Sequence, residues 1–141
     1  MRDPVERFRS AFAYAQAGGS ADNCVSAPFR STYRAFRDVD EALDHLEAAV
    51  WPYGVDHIFR PQSWYVTGAD GAPAVDHLVT LADLGAALRT LAPWAAPLRE
   101  VNRGPDRKPL LTSRQEWRLR YLYAHDLTLV RRARDDGVCA A

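Results

Sequence analysis

The chain has 141 residues, 48% of them hydrophobic and 26% charged, a composition that suits one packed domain and excludes a disordered polymer. Eighteen Lys and Arg balance 18 Asp and Glu, so there is no net charge to capture nucleic acid or an anionic membrane in bulk, and any anion site must be local. No apolar run reaches the roughly 20 residues of a membrane span, and Met1-Arg2-Asp3-Pro4 lacks the apolar core of a signal peptide, which reads as a cytoplasmic protein.

The first helix is announced by its start. Asp3 is a capping residue, Pro4 suits the first helical position and Glu6 completes a capping box. Val5, Phe8, Phe12 and Ala15 fall on one face, and Gly18-Gly19 is the stop. Ser20 to Ser31 reads as loop. Asp38 and Glu41 repeat the box ahead of a helix over Val39 to Trp51, with Leu43, Leu46 and Val50 as its apolar stripe. Gln62 to Val66 and Ala74 to Leu78 read as the two strands of a hairpin, turned at Ala69-Asp70-Gly71.

Leu81, Leu84, Ala87, Leu88 and Leu91 return to helical spacing, and Val101 to Pro109 is a basic loop broken by Gly104 and two prolines. Ser113 with Glu116 caps the last helix, whose stripe holds Trp117, Leu119 or Arg120, Tyr121, Leu122 and Tyr123 and continues through Leu127 and Val130. The count is four helices and one hairpin, with no buried apolar strands for a parallel sheet.

Arginine supplies the basic chemistry, since Lys108 is the single lysine. Arg2 stands at the amino terminus of the first helix, where exposed N–H groups and the dipole favour an anion. Ser10 lies two helical turns on, within reach of the same phosphate. Cys24 and Cys139 form neither a disulfide framework nor a metal motif. The aromatics Trp64, Tyr65, Trp94, Trp117, Tyr121 and Tyr123 read as core, and the arginines of 118–134 as a solvated helix face.

The segment Arg2-Asp3-Pro4-Val5-Glu6-Arg7-Phe8-Arg9-Ser10-Ala11-Phe12 resembles the nucleotide 3′-phosphate motif R-D-P-x-x-R-x-x-S-x-Y/F of the type 2 (carbohydrate) sulfotransferase family. His57 to Ser63 resembles its H-x-x-P-Q-S segment, and Val75-Asp76-His77-Leu78 the strand before its next helix. Asn102-Arg103, Leu111-Thr112 and Tyr123-Ala124-His125-Asp126 resemble its closing N-R-S loop, L-T helix start and Y-A-x-D ending. The resemblance spans Arg2 to about Val130, in the family's order.

It implies an α/β, P-loop-like sulfotransferase fold, of which this chain is the C-terminal portion, mostly helical with one hairpin and lacking the N-terminal part of the parallel sheet. Residues 1–134 form the partial domain and 135–141 a tail. The implied activity is transfer of a sulfuryl group from 3′-phosphoadenosine 5′-phosphosulfate to a hydroxyl, of a carbohydrate by family analogy, without a metal. Arg2 and Ser10 bind the donor's 3′-phosphate, Asn102 and Arg103 belong to the donor site, Arg107 and Lys108 lie in the closing loop, and His57 is the candidate on the acceptor side. The phosphosulfate loop and catalytic base are expected upstream, with Met1 read as a misplaced start at a valine codon. Ala82 stands where the family has an acidic residue, which points to an altered acceptor side.

The remaining histidines carry blander readings: His45 on a solvated helix face, His125 packing or capping near a helix end. The alternative for the whole chain is a non-catalytic remnant or interaction domain that folds, as a homo-oligomer, by burying the surface the absent sheet would cover.

Overall fold

A computed structural model describes residues 1–19, 25–96 and 107–135. Among them are seven helices and no strand: α1 Pro4–Gln16, α2 Ala27–Arg34, α3 Val39–Ala48, α4 Ser63–Val66, α5 Leu84–Leu91, α6 Ser113–Leu122 and α7 Ala124–Asp135. The mostly helical character expected from the sequence is present.

α1 forms as its residues dictate. The Asp3 carboxylate accepts from the N–H groups of Val5 and Glu6 at 2.9 and 3.2 Å, and Pro4 opens the first turn. Glu6 does not return the bond as a box would require; its carboxylate pairs with Arg9 at 2.6 Å. At the other end Gly18 and Gly19 take φ of 84° and 103°, and the Gly19 N–H closes on the Tyr14 carbonyl at 3.0 Å, a termination that residues with a Cβ resist.

The core gathers around the buried face of α1. Phe8 lies between Phe12 and Phe59, with ring centroids 6.0 and 5.8 Å away. Tyr33 meets Phe59 edge-on at 5.1 Å and stacks on Phe36 at 5.5 Å. Val25, Leu43, Leu46, Val55 and Leu119 close the cluster, each contributing roughly 1.5–3 kcal/mol by leaving water. α6 packs against both α1 and α3, and α4 and α6 pack on α7. The α3–α6 contact is fastened by Arg118, whose guanidinium reaches Asp40 at 3.0 Å, Asp44 at 2.5 Å and Glu47 at 2.8 Å.

Several expectations are corrected. The loop predicted over Ser20 to Ser31 gives way from Ala27 to α2, because Tyr33 finds a fully buried seat that eight residues of weak helical pattern do not advertise. α3 ends at Ala48, and Val50 is exposed. The predicted strand from Gln62 is instead the helical turn α4, since Ser63 is drawn into a buried hydrogen bond across the domain. What survives of the hairpin is one antiparallel bridge between Thr67 and Pro73, with the turn at Gly71 where φ is 77°.

The last helix divides. Tyr123 leaves helical geometry, with ψ of 34°, and its buried side chain bonds to the Phe59 carbonyl, so the helical run is broken between α6 and α7. The cap of α6 is Thr112, in a reciprocal box with Gln115, and not Ser113 with Glu116. Of the aromatics read as core, Tyr123 is buried, whereas Trp64, Tyr65, Trp94, Trp117 and Tyr121 are exposed. His45 is not on a solvated face: its ring lies against Tyr33 and Phe36 at 5.7 and 5.5 Å, and its Nε2 is buried without a partner among the described residues. The tail from residue 136 lies outside the described residues.

Candidate functional site

The amino end of α1 is the meeting point of three segments that are far apart in sequence. Asp3, the N-cap, fixes where the helix starts, and Arg2 stands just before it. From there its guanidinium folds back along the helix, and Nη2 donates to the Ser10 Oγ at 2.8 Å. The two residues assigned to one phosphate from their spacing are therefore hydrogen-bonded to each other.

The Arg2 backbone is held by the second segment. Gln62 Oε1 accepts the Arg2 N–H at 2.8 Å, and Gln62 Nε2 donates to the Arg2 carbonyl at 2.7 Å. A side-chain amide thus takes the place a neighbouring strand would take in a ladder. The third segment holds Gln62. The Asp126 carboxylate, fully buried at the start of α7, accepts from the N–H groups of Gln62 and Ser63 at 2.7 and 2.8 Å. The second proton of the Gln62 amide faces the same carboxylate at 3.5 Å. A buried carboxylate needs such donors, because unpaired it would cost several kcal/mol, roughly, in lost hydration.

Beside this network runs the loop that carries His57. Arg7, on the exposed side of α1, donates through Nη2 to the His57 carbonyl at 3.3 Å. The His57 ring turns the other way, with Nδ1 on Asp56 Oδ1 at 2.8 Å and the side chain 58% exposed. Asp56 is fully buried and also accepts from the Ser26 N–H at 2.8 Å and the Ile58 N–H at 3.1 Å. Burial opposes its ionisation, but the hydrogen bonds from Ser26 and Ile58 and the neighbouring His57 outweigh it and hold the carboxyl below its usual range.

The Tyr33 hydroxyl oxygen accepts the Asp56 N–H at 2.8 Å. Burial, reinforced by the Asp56 charge, pushes the Tyr33 hydroxyl up to about 12, against the lowering effect of that N–H and of Arg60.

On the other flank of α1 a cavity of about 550 Å³ opens between Phe12, Ala13 and Gln16 and the segment Arg107 to Leu110. Arg9 ties that segment to the helix by donating to the Pro109 carbonyl at 2.8 Å. Arg107 and Lys108 give its lining positive charge, while Phe12 is a core residue, 4% exposed.

Of the residues singled out from the sequence, Arg2 and Ser10 are brought together. His57 is joined to their helix only through its carbonyl and Arg7; among the described residues no hydrogen bond links its ring to either. His57 also stands four residues before Pro61, one more than the family segment has. Asn102 and Arg103 lie outside the described residues. His125 is exposed.

The sequence assigns no role to Asp56 or Arg7, and it marks Asp126 only as part of the segment resembling the family's Y-A-x-D ending. The Asp56-His57 and Gln62-Ser63 dipeptides were visible, but their partners lie tens of residues away. Among the described residues no group of three or more His, Cys, Asp or Glu can hold a metal ion, and no helix is long and apolar enough to cross a membrane. Comparison with protein-family models, with curated proteins and with solved structures gave no match.

Proposed function

We propose that this chain is the C-terminal portion of a sulfotransferase of the type 2 (carbohydrate) family, and that it grips the 3′-phosphate of 3′-phosphoadenosine 5′-phosphosulfate between Arg2 and Ser10. The observation that carries the reading is the 2.8 Å bond from Arg2 Nη2 to Ser10 Oγ. It puts a fixed positive charge and a hydroxyl on the same spot, and a phosphate oxygen entering there receives donors from both.

The convergence of the three matched segments on one network supports the family reading, since Arg2, Gln62 and Asp126 are residues of its R-D-P, P-Q-S and Y-A-x-D patterns. The α/β fold is supported at one place. The Met1 amino group donates to the Val79 carbonyl and the Leu81 N–H to the Met1 carbonyl at 2.6 Å, the bond pattern of neighbouring parallel strands.

In the proposed reaction an acceptor hydroxyl oxygen bonds to sulfur as the bond from sulfur to the bridging phosphate oxygen breaks. Adenosine 3′,5′-bisphosphate leaves, and the hydroxyl proton passes to a base. Arg2 and Ser10 position the donor and stabilise its charge, a contribution of orientation and electrostatics. His57, exposed and oriented by Asp56, is assigned to the acceptor side, and the acceptor is taken as a carbohydrate hydroxyl. The base for that hydroxyl is not assigned among the described residues. A cytoplasmic location belongs to the same proposal.

The test is thermal stabilisation by adenosine 3′,5′-bisphosphate. The wild-type melting temperature is expected to rise with ligand, and Arg2→Ala or Ser10→Ala to abolish the rise. Equal shifts in wild type and variants would remove the assigned site. A second reading, an interaction domain that assembles as a homo-oligomer, is favoured by one feature: Trp117 and Tyr121, stacked at 5.9 Å, are 66% and 77% exposed. A mass measured in solution at a multiple of the chain, lowered by Trp117→Ser, would favour it.

A further inference from the structure

We infer that Gln62 and Asp126 are positioning residues for Arg2: the buried carboxylate sets the side-chain amide, and the amide sets the arginine against Ser10. The inference rests on the anion-binding reading of Arg2 and deepens it.

Arg2 lies outside α1, so its own N–H takes no part in the helical hydrogen bonds. Met1 before it is tied to Val79 and Leu81 and Asp3 after it caps the helix, which leaves the Arg2 N–H and carbonyl to be held by another group. Each additional rotatable bond of an arginine multiplies the positions its guanidinium can sample, and ordering a side chain of that length costs up to roughly 2 kcal/mol. A contact from the guanidinium to a phosphate is worth its full strength only where that ordering precedes binding. Two bonds from one planar amide, to the N–H and the carbonyl of the same residue, fix both the position and the rotation of the Arg2 backbone.

The amide in turn has no freedom. Its backbone N–H and one side-chain proton are directed to Asp126 Oδ2, and the neighbouring Ser63 N–H to Oδ1. Asp126 is fully buried on α7, which packs against α4 and α6. The position of Arg2 is therefore referred to the interior of the domain through two residues, neither of which is hydrogen-bonded to Ser10 among the described residues. The arrangement also fixes the amide's orientation: reversing the Gln62 oxygen and nitrogen would set oxygen against the Arg2 carbonyl and the Asp126 carboxylate at once.

The experiment needs a readout on Arg2 that does not depend on any ligand. In the ligand-free full chain, NMR of the Arg2 guanidinium is expected to show its Nη2 protons slowed in exchange by Ser10, and Ser10→Ala to release them. Gln62→Leu, with Ser10 intact, is expected to release them to the same extent. If the Arg2 signal in folded Gln62→Leu matches wild type, the proposal is overturned. Gln62→Glu serves if Gln62→Leu does not fold; it removes the donor to the Arg2 carbonyl and sets a charge against Asp126, and it carries the same expectation and the same overturning result.

Calorimetry with adenosine 3′,5′-bisphosphate gives the second reading. Gln62→Leu is expected to weaken binding about tenfold. Unchanged binding in folded Gln62→Leu would overturn its role on Arg2. If wild type binds no bisphosphate, the proposed function fails while the NMR result still decides the positioning.

Discussion

The hydroxyl of Tyr123, at the break between α6 and α7, donates to the main-chain carbonyl of Phe59 at 2.7 Å inside the core. The contact joins the end of the chain to the loop that leads into Pro61-Gln62-Ser63, and it does so where water is absent: Tyr123 is 2% exposed. Its ring also receives the edge of Trp51 at 5.9 Å. Tyr123→Phe keeps the ring and leaves a buried carbonyl unpaired, so it is expected to lower stability by about 1–3 kcal/mol, read as a lower urea midpoint with an unchanged slope.

The Asp56 carboxyl has a pH signature with a definite sign. In the unfolded chain it takes up its proton near the ordinary value of about 3.9; in the folded chain it does so at lower pH, because the bonds from Ser26 and Ile58 and the neighbouring His57 overcome its burial. Its contribution is complete above the unfolded value and disappears as pH falls through the folded one. Unfolding measured from pH 6 downward, a span of about four units, is expected to show wild type losing stability more steeply than Asp56→Asn. Parallel curves would contradict the assignment.

At the alkaline end Tyr33 behaves in the opposite way. Burial raises its hydroxyl to about 12, so the stability tied to its neutral form is present below the unfolded value of about 10 and is lost as pH climbs toward the folded one. Ultraviolet titration is expected to show a late group in which Tyr33 and the buried Tyr123 ionise. Tyr33→Phe should remove one late equivalent.

Arg118 is expected to hold α6 to α3 by a network and not by a single pair. Its side chain is 12% exposed, while its partners Asp40, Asp44 and Glu47 remain at least two-fifths in solvent. Exposed pairs are worth about 0.2–1 kcal/mol each, and less in salt. Arg118→Ala should therefore cost about 1–2 kcal/mol at low ionic strength, and the difference from wild type should shrink in 1 M salt, where the screening length is about 3 Å.

The start of α6 can be located by two single substitutions. Thr112 accepts the Gln115 N–H at 3.3 Å, and Gln115 Oε1 accepts the Thr112 N–H at 2.9 Å. Thr112→Ala is expected to lose about 1 kcal/mol by thermal unfolding, and Ser113→Ala no more than about 0.5 kcal/mol. The reverse order would restore the cap that the Ser113-Glu116 spacing suggested.

The features legible in the sequence are those enforced over a few residues. Asp3 and Pro4 before an apolar stripe, with Gly18-Gly19 behind it, specify α1 through capping, a fixed φ and a positive φ, and none of these needs the rest of the chain. The same locality lets Arg2 and Ser10 be paired on paper, since a helix sets the distance between its own turns. Tertiary structure decided the rest. Gln62 to Val66 has strand-forming residues, but Asp126 takes the N–H groups of Gln62 and Ser63, and a helical turn delivers both to one carboxylate. Tyr33 makes a helix of a segment with little periodicity because its ring has a seat among Phe29, Phe36 and Phe59. Trp117 and Tyr121 keep helical spacing yet face outward, because Leu119 and Tyr123 occupy the buried side. Periodicity shows that a stripe exists, and only the packed neighbours determine which stripe is covered. The network from Asp126 through Gln62 to Arg2 belongs to the same class: it spans more than a hundred residues, and the requirement that a buried carboxylate be fully donated to is met only once the chain has folded.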